Sequence, residues 1–126
     1  MIIIGHPWIP GPTLHRVYTT EQIKQTPPGS VVLLEPLIDT HDLARYCMEN
    51  AIAYAVVVTS LEEAIFANAL QAKYAICDEV TALSIQPIAN EYLFDMRILV
   101  PIKDDKVIAK IAKSGIDGVI FSSAIR

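Results

Sequence analysis

The stretch that decides the fold is Tyr54–Cys77, which reads YAVVVTSLEEAIFANALQAKYAIC. It opens with a continuous apolar run (Tyr54–Val58), passes through a helix-like segment (Leu61–Leu70) and returns to a second apolar run (Lys73–Cys77). Continuous apolar runs are typical of strands covered on both faces, as in parallel sheets. Ser60, followed three residues later by glutamate, makes a capping box that predicts a helix start. The stretch therefore predicts one strand–helix–strand unit with parallel strands.

The same alternation extends over the rest of the chain. The predicted strands are Ile2–Ile4, Val31–Leu34, Tyr54–Val58, Lys73–Cys77, Arg97–Val100 and Gly118–Phe121. The predicted helices are Thr20–Gln25, His41–Asn50, Leu61–Leu70, Glu79–Leu93 with a break near Pro87, and Asp104–Lys113. We therefore predict an α/β fold with an open, mainly parallel sheet of five or six strands and helices on both faces, a three-layer arrangement of the Rossmann or flavodoxin type. A half-barrel of βα units is the alternative.

Length and composition narrow the class of protein further. A chain of 126 residues predicts a single domain over residues 1–126. Hydrophobic residues make up 52% of it, which excludes an intrinsically disordered chain. The formal net charge is −4, and duplex binding needs a basic face, so nucleic acid is not an expected partner.

The sequence also carries expectations about location. The first residues have no basic region, and their apolar run, Met1–Ile4, is shorter than the core of a secretory leader. The longer run Ala51–Val58 still falls well short of the roughly 20 residues of a membrane span, so we expect no membrane partner. We therefore expect a cytoplasmic protein in which Cys47 and Cys77 are reduced.

Known catalytic and cofactor motifs are missing. The chain has no G-x-G-x-x-G, no P-loop, no G-x-S-x-G, no C-x-x-C and no H-E-x-x-H. The histidines, His6, His15 and His41, never stand at ligand spacing on one predicted helix. We therefore predict no metal site, and the sequence identifies neither a cofactor nor a catalytic residue.

Polar residues nevertheless follow every predicted strand. Ligands of open α/β sheets bind beyond the carboxyl ends of the strands, where the strand order reverses, so residues just past each strand are candidates for a binding site. These candidates are His6, Trp8, Glu35, Thr59, Ser60, Cys77, Asp78 and Lys103. The competing interpretation is that Ser60, Asp78 and Asp104 are only helix caps and that the other residues are loop surface.

Four of these residues have chemistry of their own. His6 could act as a general base near neutral pH. Cys77 could be a nucleophile if the start of a helix lowers its pKa, or simply a packed thiol. Lys103 could hold an anion. Trp8, in the proline-rich segment 6–19, could cover a pocket, pack beneath its own loop or anchor an interface.

Three hypotheses about function follow from this pattern. We expect the protein to bind a small molecule at the carboxyl ends of its strands. One alternative is an enzyme that uses the polar groups at the strand ends. The other is a structural or assembly subunit with no catalytic role.

The segment Leu61–Leu70 predicts a partner. Its polar residues scatter around the helix, which is typical of a helix buried on two sides. If Leu61 and Ile65 face the sheet, then Phe66 and Leu70 point away from it. We therefore predict a homodimer with Phe66 and Leu70 in the interface, and the competing possibility is that a neighbouring helix covers them.

Overall fold

A computed structural model describes residues 1–126 as seven strands and five α-helices. The strands are β1 (Ile2–Ile4), β2 (Leu14–Arg16), β3 (Val31–Leu34), β4 (Tyr54–Val57), β5 (Tyr74–Ile76), β6 (Arg97–Ile102) and β7 (Gly118–Phe121). The helices are α1 (Thr20–Gln25), α2 (Leu37–Glu49), α3 (Leu61–Ala69), α4 (Glu79–Glu91) and α5 (Ile108–Lys113). Short 3₁₀ turns occupy Asp105–Val107 and Ser122–Ala124. No helix has both the length and the apolar character that crossing a bilayer requires.

All seven strands lie in one parallel sheet, in the order β1-β7-β6-β5-β4-β3-β2. The predicted α/β class with a parallel sheet is confirmed, with seven strands rather than five or six. From β2 to β7 the chain adds each strand on the same side of the last one. Right-handed crossovers in one direction place all helices on the same face and curl the sheet. The arrangement is thus closer to the alternative, a part-barrel of βα units, than to a sheet covered on both faces by helices.

The two edges of the curled sheet are joined by the residues after β7. Ile125 forms a parallel bridge with Leu14 of β2, and the backbone N–H of Arg126 donates to the carbonyl of Leu14 over 2.7 Å. The hydroxyl of Ser123 donates to the carbonyl of Gly5, just after β1, over 2.8 Å. Residues 122–126 therefore connect the carboxyl end of β1 to the start of β2.

Apolar residues form two separate cores, one on each side of the sheet. The outer core has 25 buried residues and includes side chains from all five α-helices. The inner core has 10 buried residues, and they come from the strands and the turn after β7. Successive residues of β3 alternate between the two: Val31 and Leu33 lie inside, and Val32 and Leu34 outside. Because both faces of β3 are buried, this strand is apolar throughout.

The caps predicted from the sequence are present. Ser60, Asp78 and Asp104 each accept a backbone N–H at a helix or 3₁₀ start. The prediction for Pro87 is wrong, because α4 runs through it without a break. Residues on both sides of the proline, Ile85 and Ala89 among them, are buried in the outer core. This shared packing outweighs the backbone hydrogen bond that the proline removes.

The orientation assumed for α3 is also wrong. Ala64 and Ala67 are the buried residues of this helix, whereas Ile65 and Phe66 are exposed. Two alanines let the helix approach the sheet closely, and Ile65 and Phe66 turn away from it. Leu61 and Leu70 pack partly buried against the outer core.

Candidate functional site

A cavity of about 490 Å³ lies at the carboxyl ends of the strands, on the inner face of the curled sheet. Its apolar lining includes Leu33 and Ile76 of the inner core, together with Val57 and Ile125, which pack against that core. The inner core is therefore the floor of the cavity, and it separates the cavity from the opposite end of the sheet. The strand order has no reversal, so the curl of the sheet creates this site, as in parallel barrels.

The polar lining comes from both sides of the opening. It consists of Arg16, Glu35, Asp78, Lys103 and Ser122, and the buried residue Cys77 also borders the cavity. Four of the eight candidates predicted from the sequence thus line one cavity: Glu35, Cys77, Asp78 and Lys103.

Glu35 and Arg16 face each other on one side of the cavity. The guanidinium Nε of Arg16 lies 3.9 Å from Oε1 of Glu35, and both side chains are partly exposed. The hydroxyl of Tyr18 donates to the same oxygen over 3.4 Å. The two charges offset each other, although an ion pair this exposed contributes little to stability.

Asp78 and Lys103 lie on another side, just after the neighbouring strands β5 and β6. Oδ1 of Asp78 accepts the backbone N–H of Thr81 over 2.8 Å and caps α4. Hydrogen bonds from Thr81 lower the pKa of Asp78, so its carboxylate stays ionised at neutral pH. The ammonium of Lys103 makes no hydrogen bond or ion pair with another side chain or the backbone.

Cys77 does not have the lowered pKa that nucleophilic chemistry would use. Burial, together with the nearby negative charge of Asp78, raises the pKa of Cys77 to about 12. The thiol packs in the outer core and is protonated at neutral pH. The interpretation of Cys77 as a packed thiol is therefore the one that its environment supports.

His6 and Trp8 are not part of the cavity lining. Nε2 of His6 lies 3.0 Å from Oδ2 of Asp105, and Nδ1 accepts the backbone N–H of Trp8 over 3.1 Å. Both ring nitrogens therefore already have hydrogen-bond partners within the protein. The ring also meets Trp8 and Phe121 edge-on, at centroid distances of 5.2 and 5.5 Å. Trp8 itself is 85% exposed, so it neither covers the cavity nor packs in a core.

Thr59 and Ser60 also lie outside the cavity lining, because they organise the start of α3. Ser60 caps the helix by accepting the N–H of Glu63. Thr59 donates its backbone N–H and its hydroxyl to the Glu63 carboxylate, and the N–H of Ile38 donates to it as well. Burial by itself would raise the pKa of Glu63, but these hydrogen bonds lower it. Ser60 is therefore the cap that the competing interpretation expected, whereas Thr59 is bonded to Glu63 of the same helix.

Sequence reasoning missed Arg16, Ser122 and Ile125. Arg16 belongs to β2, a strand of three residues inside the proline-rich segment, where no continuous apolar run identifies it. Ser122 and Ile125 reach the cavity because the chain after β7 turns back toward β2. The only local signal was the position of Ser122 directly after a predicted strand.

Comparison with known proteins adds no functional assignment. No protein-family model matches the sequence, and no curated protein matches it. No group of three or more histidine, cysteine, aspartate or glutamate side chains is placed to hold a metal ion. The chemistry of this protein must therefore be judged from the cavity itself.

Proposed function

We propose that the protein binds a small organic molecule in the cavity at the carboxyl ends of its strands. The observation that carries this proposal is the combination of an apolar floor with charged side chains at the opening. Ligand pockets of proteins typically measure about 300–1,000 Å³ and combine an apolar lining with a few convergent polar groups. A volume of about 490 Å³ suits a metabolite of modest size.

Binding is a better account of this cavity than catalysis. An activated nucleophile needs a neighbouring base or a lowered pKa. Burial raises the pKa of Cys77 instead, and His6 lies outside the lining. The remaining ionisable groups can orient a ligand without any chemical step.

A thermal-shift screen of metabolites tests the proposal, with a variant that fills the cavity. Val57→Phe adds bulk to the floor, whereas Val80→Phe makes the same change at an exposed site on α4. A true ligand should raise the melting temperature of the wild type and of Val80→Phe, because it stabilises the folded state that binds it. It should not raise that of Val57→Phe. A ligand that stabilises all three proteins equally would show that the cavity is not the binding site.

We also propose a homodimer through the outer surface of α2 and α3. Ile38 is 74% exposed and Phe66 65% exposed, and both line a groove of about 370 Å³ that also includes Leu37 and Leu70. Burial of a side chain of this size contributes roughly 1.5–3 kcal/mol. A two-fold dimer buries the same patch on both copies, so each exposed side chain counts twice.

The dimer is tested by analytical ultracentrifugation of Phe66→Glu. Because Phe66 is exposed, this variant should stay folded and sediment as a monomer. Tyr92→Glu is the matched control, since Tyr92 is 72% exposed and does not line the groove. It should sediment like the wild type. A monomeric wild type at high micromolar concentration would refute the proposal.

A further inference from the structure

Two opposite charges stand at the ends of neighbouring strands without pairing with each other. Asp78 follows β5 and Lys103 follows β6, and these two strands are hydrogen-bonded neighbours. Both residues line the main cavity, and both also line an adjoining cavity of about 360 Å³. They do not form a salt bridge, and each keeps hydrogen-bonding capacity that the protein does not use.

The unused capacity can be stated atom by atom. The ammonium of Lys103 has three N–H donors and no partner among the side chains or the backbone. Oδ1 of Asp78 accepts the backbone N–H of Thr81, and the Thr81 hydroxyl also hydrogen-bonds this carboxylate. The two carboxylate oxygens have about four acceptor sites, so free acceptor sites remain. An anionic group and a donor-bearing cationic group would each find one partner here.

The other charged side chains of the lining give the cavity no strong preference for an anionic or a cationic ligand. Arg16 lies close to Glu35, so this pair offers little net charge. The cavity therefore contains two cationic and two anionic side chains, and its lining is neutral overall. A ligand with a single charge would meet the opposite group but would also face the like-charged one. A ligand that carries both charges avoids this repulsion.

We propose that the ligand is a small aliphatic zwitterion of the amino-acid type. Its carboxylate pairs with Lys103, its ammonium pairs with Asp78, and its apolar side chain lies on the floor formed by Val57 and Ile76. This inference rests on the proposed function, since it names the ligand class of the same cavity.

Isothermal titration calorimetry with L-leucine at millimolar concentration tests the zwitterion, using two analogues that each lack one charge. The analogue 4-methylpentanoate keeps the carboxylate, and 3-methylbutylamine keeps the ammonium. Leucine should bind at least about tenfold more tightly than either, because a charge-assisted hydrogen bond contributes about that factor. Equal affinity of leucine and either analogue would overturn the proposal.

Charge-removing variants assign the two partners. Lys103→Gln and Asp78→Asn should each weaken leucine binding by about 10- to 100-fold. Asparagine is as good a helix cap as aspartate, so the second variant keeps the start of α4 intact. Lys106→Gln and Asp42→Asn are matched controls outside the cavity and should bind like the wild type. Unchanged affinity in both charge-removing variants would overturn the assignment.

The cavity-filling variant separates this inference from the proposed function. If leucine does not bind, but an uncharged compound does and Val57→Phe abolishes its binding, the cavity is a ligand site and the zwitterion proposal is wrong. If leucine binds equally well to Val57→Phe, it binds elsewhere, and the zwitterion proposal is wrong for this cavity. If Val57→Phe alters the binding of no compound, both proposals fail.

Discussion

Gly118→Ala should weaken the pairing of β1 with β7. Gly118 lies opposite Ile2 in the parallel register of these strands. A Cβ atom added at Gly118 would come within 2.5 Å of the carbonyl oxygen of Ile2 and 2.8 Å of Cδ2 of Leu99. The leucine methyl group can move, but the backbone oxygen belongs to the sheet. The alanine therefore requires β1 to shift away from β7.

The size of the effect follows from two opposing terms. Overpacking of a tight site costs about 1–3 kcal/mol, and contact with backbone places this case in the upper part of that range. Alanine also restricts the unfolded chain, which stabilises the protein by about 0.4–1 kcal/mol. We expect a net loss of about 2 kcal/mol. For a chain of this size that corresponds to a fall of roughly 6–10 °C in melting temperature.

Urea denaturation and thermal melting of both Gly118→Ala and Gly11→Ala measure this effect. Gly11 has no heavy atom within 4 Å of the position of an added Cβ. Its variant therefore reports the unfolded-state term alone and should be as stable as the wild type or slightly more so. If Gly118→Ala melts at the same temperature as Gly11→Ala, the close approach of β1 to β7 is not a constraint and the reasoning is refuted.

Three further predictions concern buried and hydrogen-bonded side chains. The hydroxyl of Tyr54, buried in the outer core, donates to the carbonyl of Leu70 over 2.8 Å. Tyr54→Phe should lose about 1–3 kcal/mol in urea denaturation, and the exposed Tyr92→Phe should lose almost nothing. Burial tends to raise the pKa of Glu63, but hydrogen bonds from the turn before α3 lower it below the unfolded value. Its contribution to stability is therefore present above the unfolded pKa and disappears as the pH falls through the folded pKa. The stability difference between wild type and Glu63→Gln should shrink as the pH falls from the unfolded pKa of Glu63 through its folded pKa. A difference independent of pH would show that the hydrogen bonds do not lower this pKa. Because burial, with the charge of Asp78, raises the pKa of Cys77 to about 12, a thiol reagent such as Ellman's should modify it slowly in the folded protein near pH 8 and rapidly in denaturant. Rapid modification of the folded protein would show that the thiol is accessible and ionised.

The cavity lies at the carboxyl ends of the strands, although the rule on strand-order reversal, which predicted a site there, does not apply to this sheet. A reversal of strand order makes a crevice in an open sheet, but this sheet has no reversal. Instead, the curl brings the carboxyl ends of six strands or their following loops around one opening. In both architectures the loops that follow the strands supply the polar groups. Residues such as Glu35 and Asp78 were therefore identifiable before the topology was known.

The sequence by itself determined the features that depend on neighbouring residues. Continuous apolar runs identified six of the seven strands, and the caps at Ser60 and Asp78 were readable because a cap contacts a backbone only a few residues away. The polar residues after each strand were visible for the same reason.

Only the tertiary structure decided what depends on residues far apart in the chain. Strand β2 exists because Leu14 pairs with Val31 and Ile125, and its own three residues carry no strand signal. Among eight similar candidates, the curl brings Glu35 and Lys103 to one cavity and leaves His6 bonded to Asp105 outside it. Local patterns determine which elements form, whereas pairing between distant segments determines which side chains meet, because those contacts are made only when the whole sheet closes.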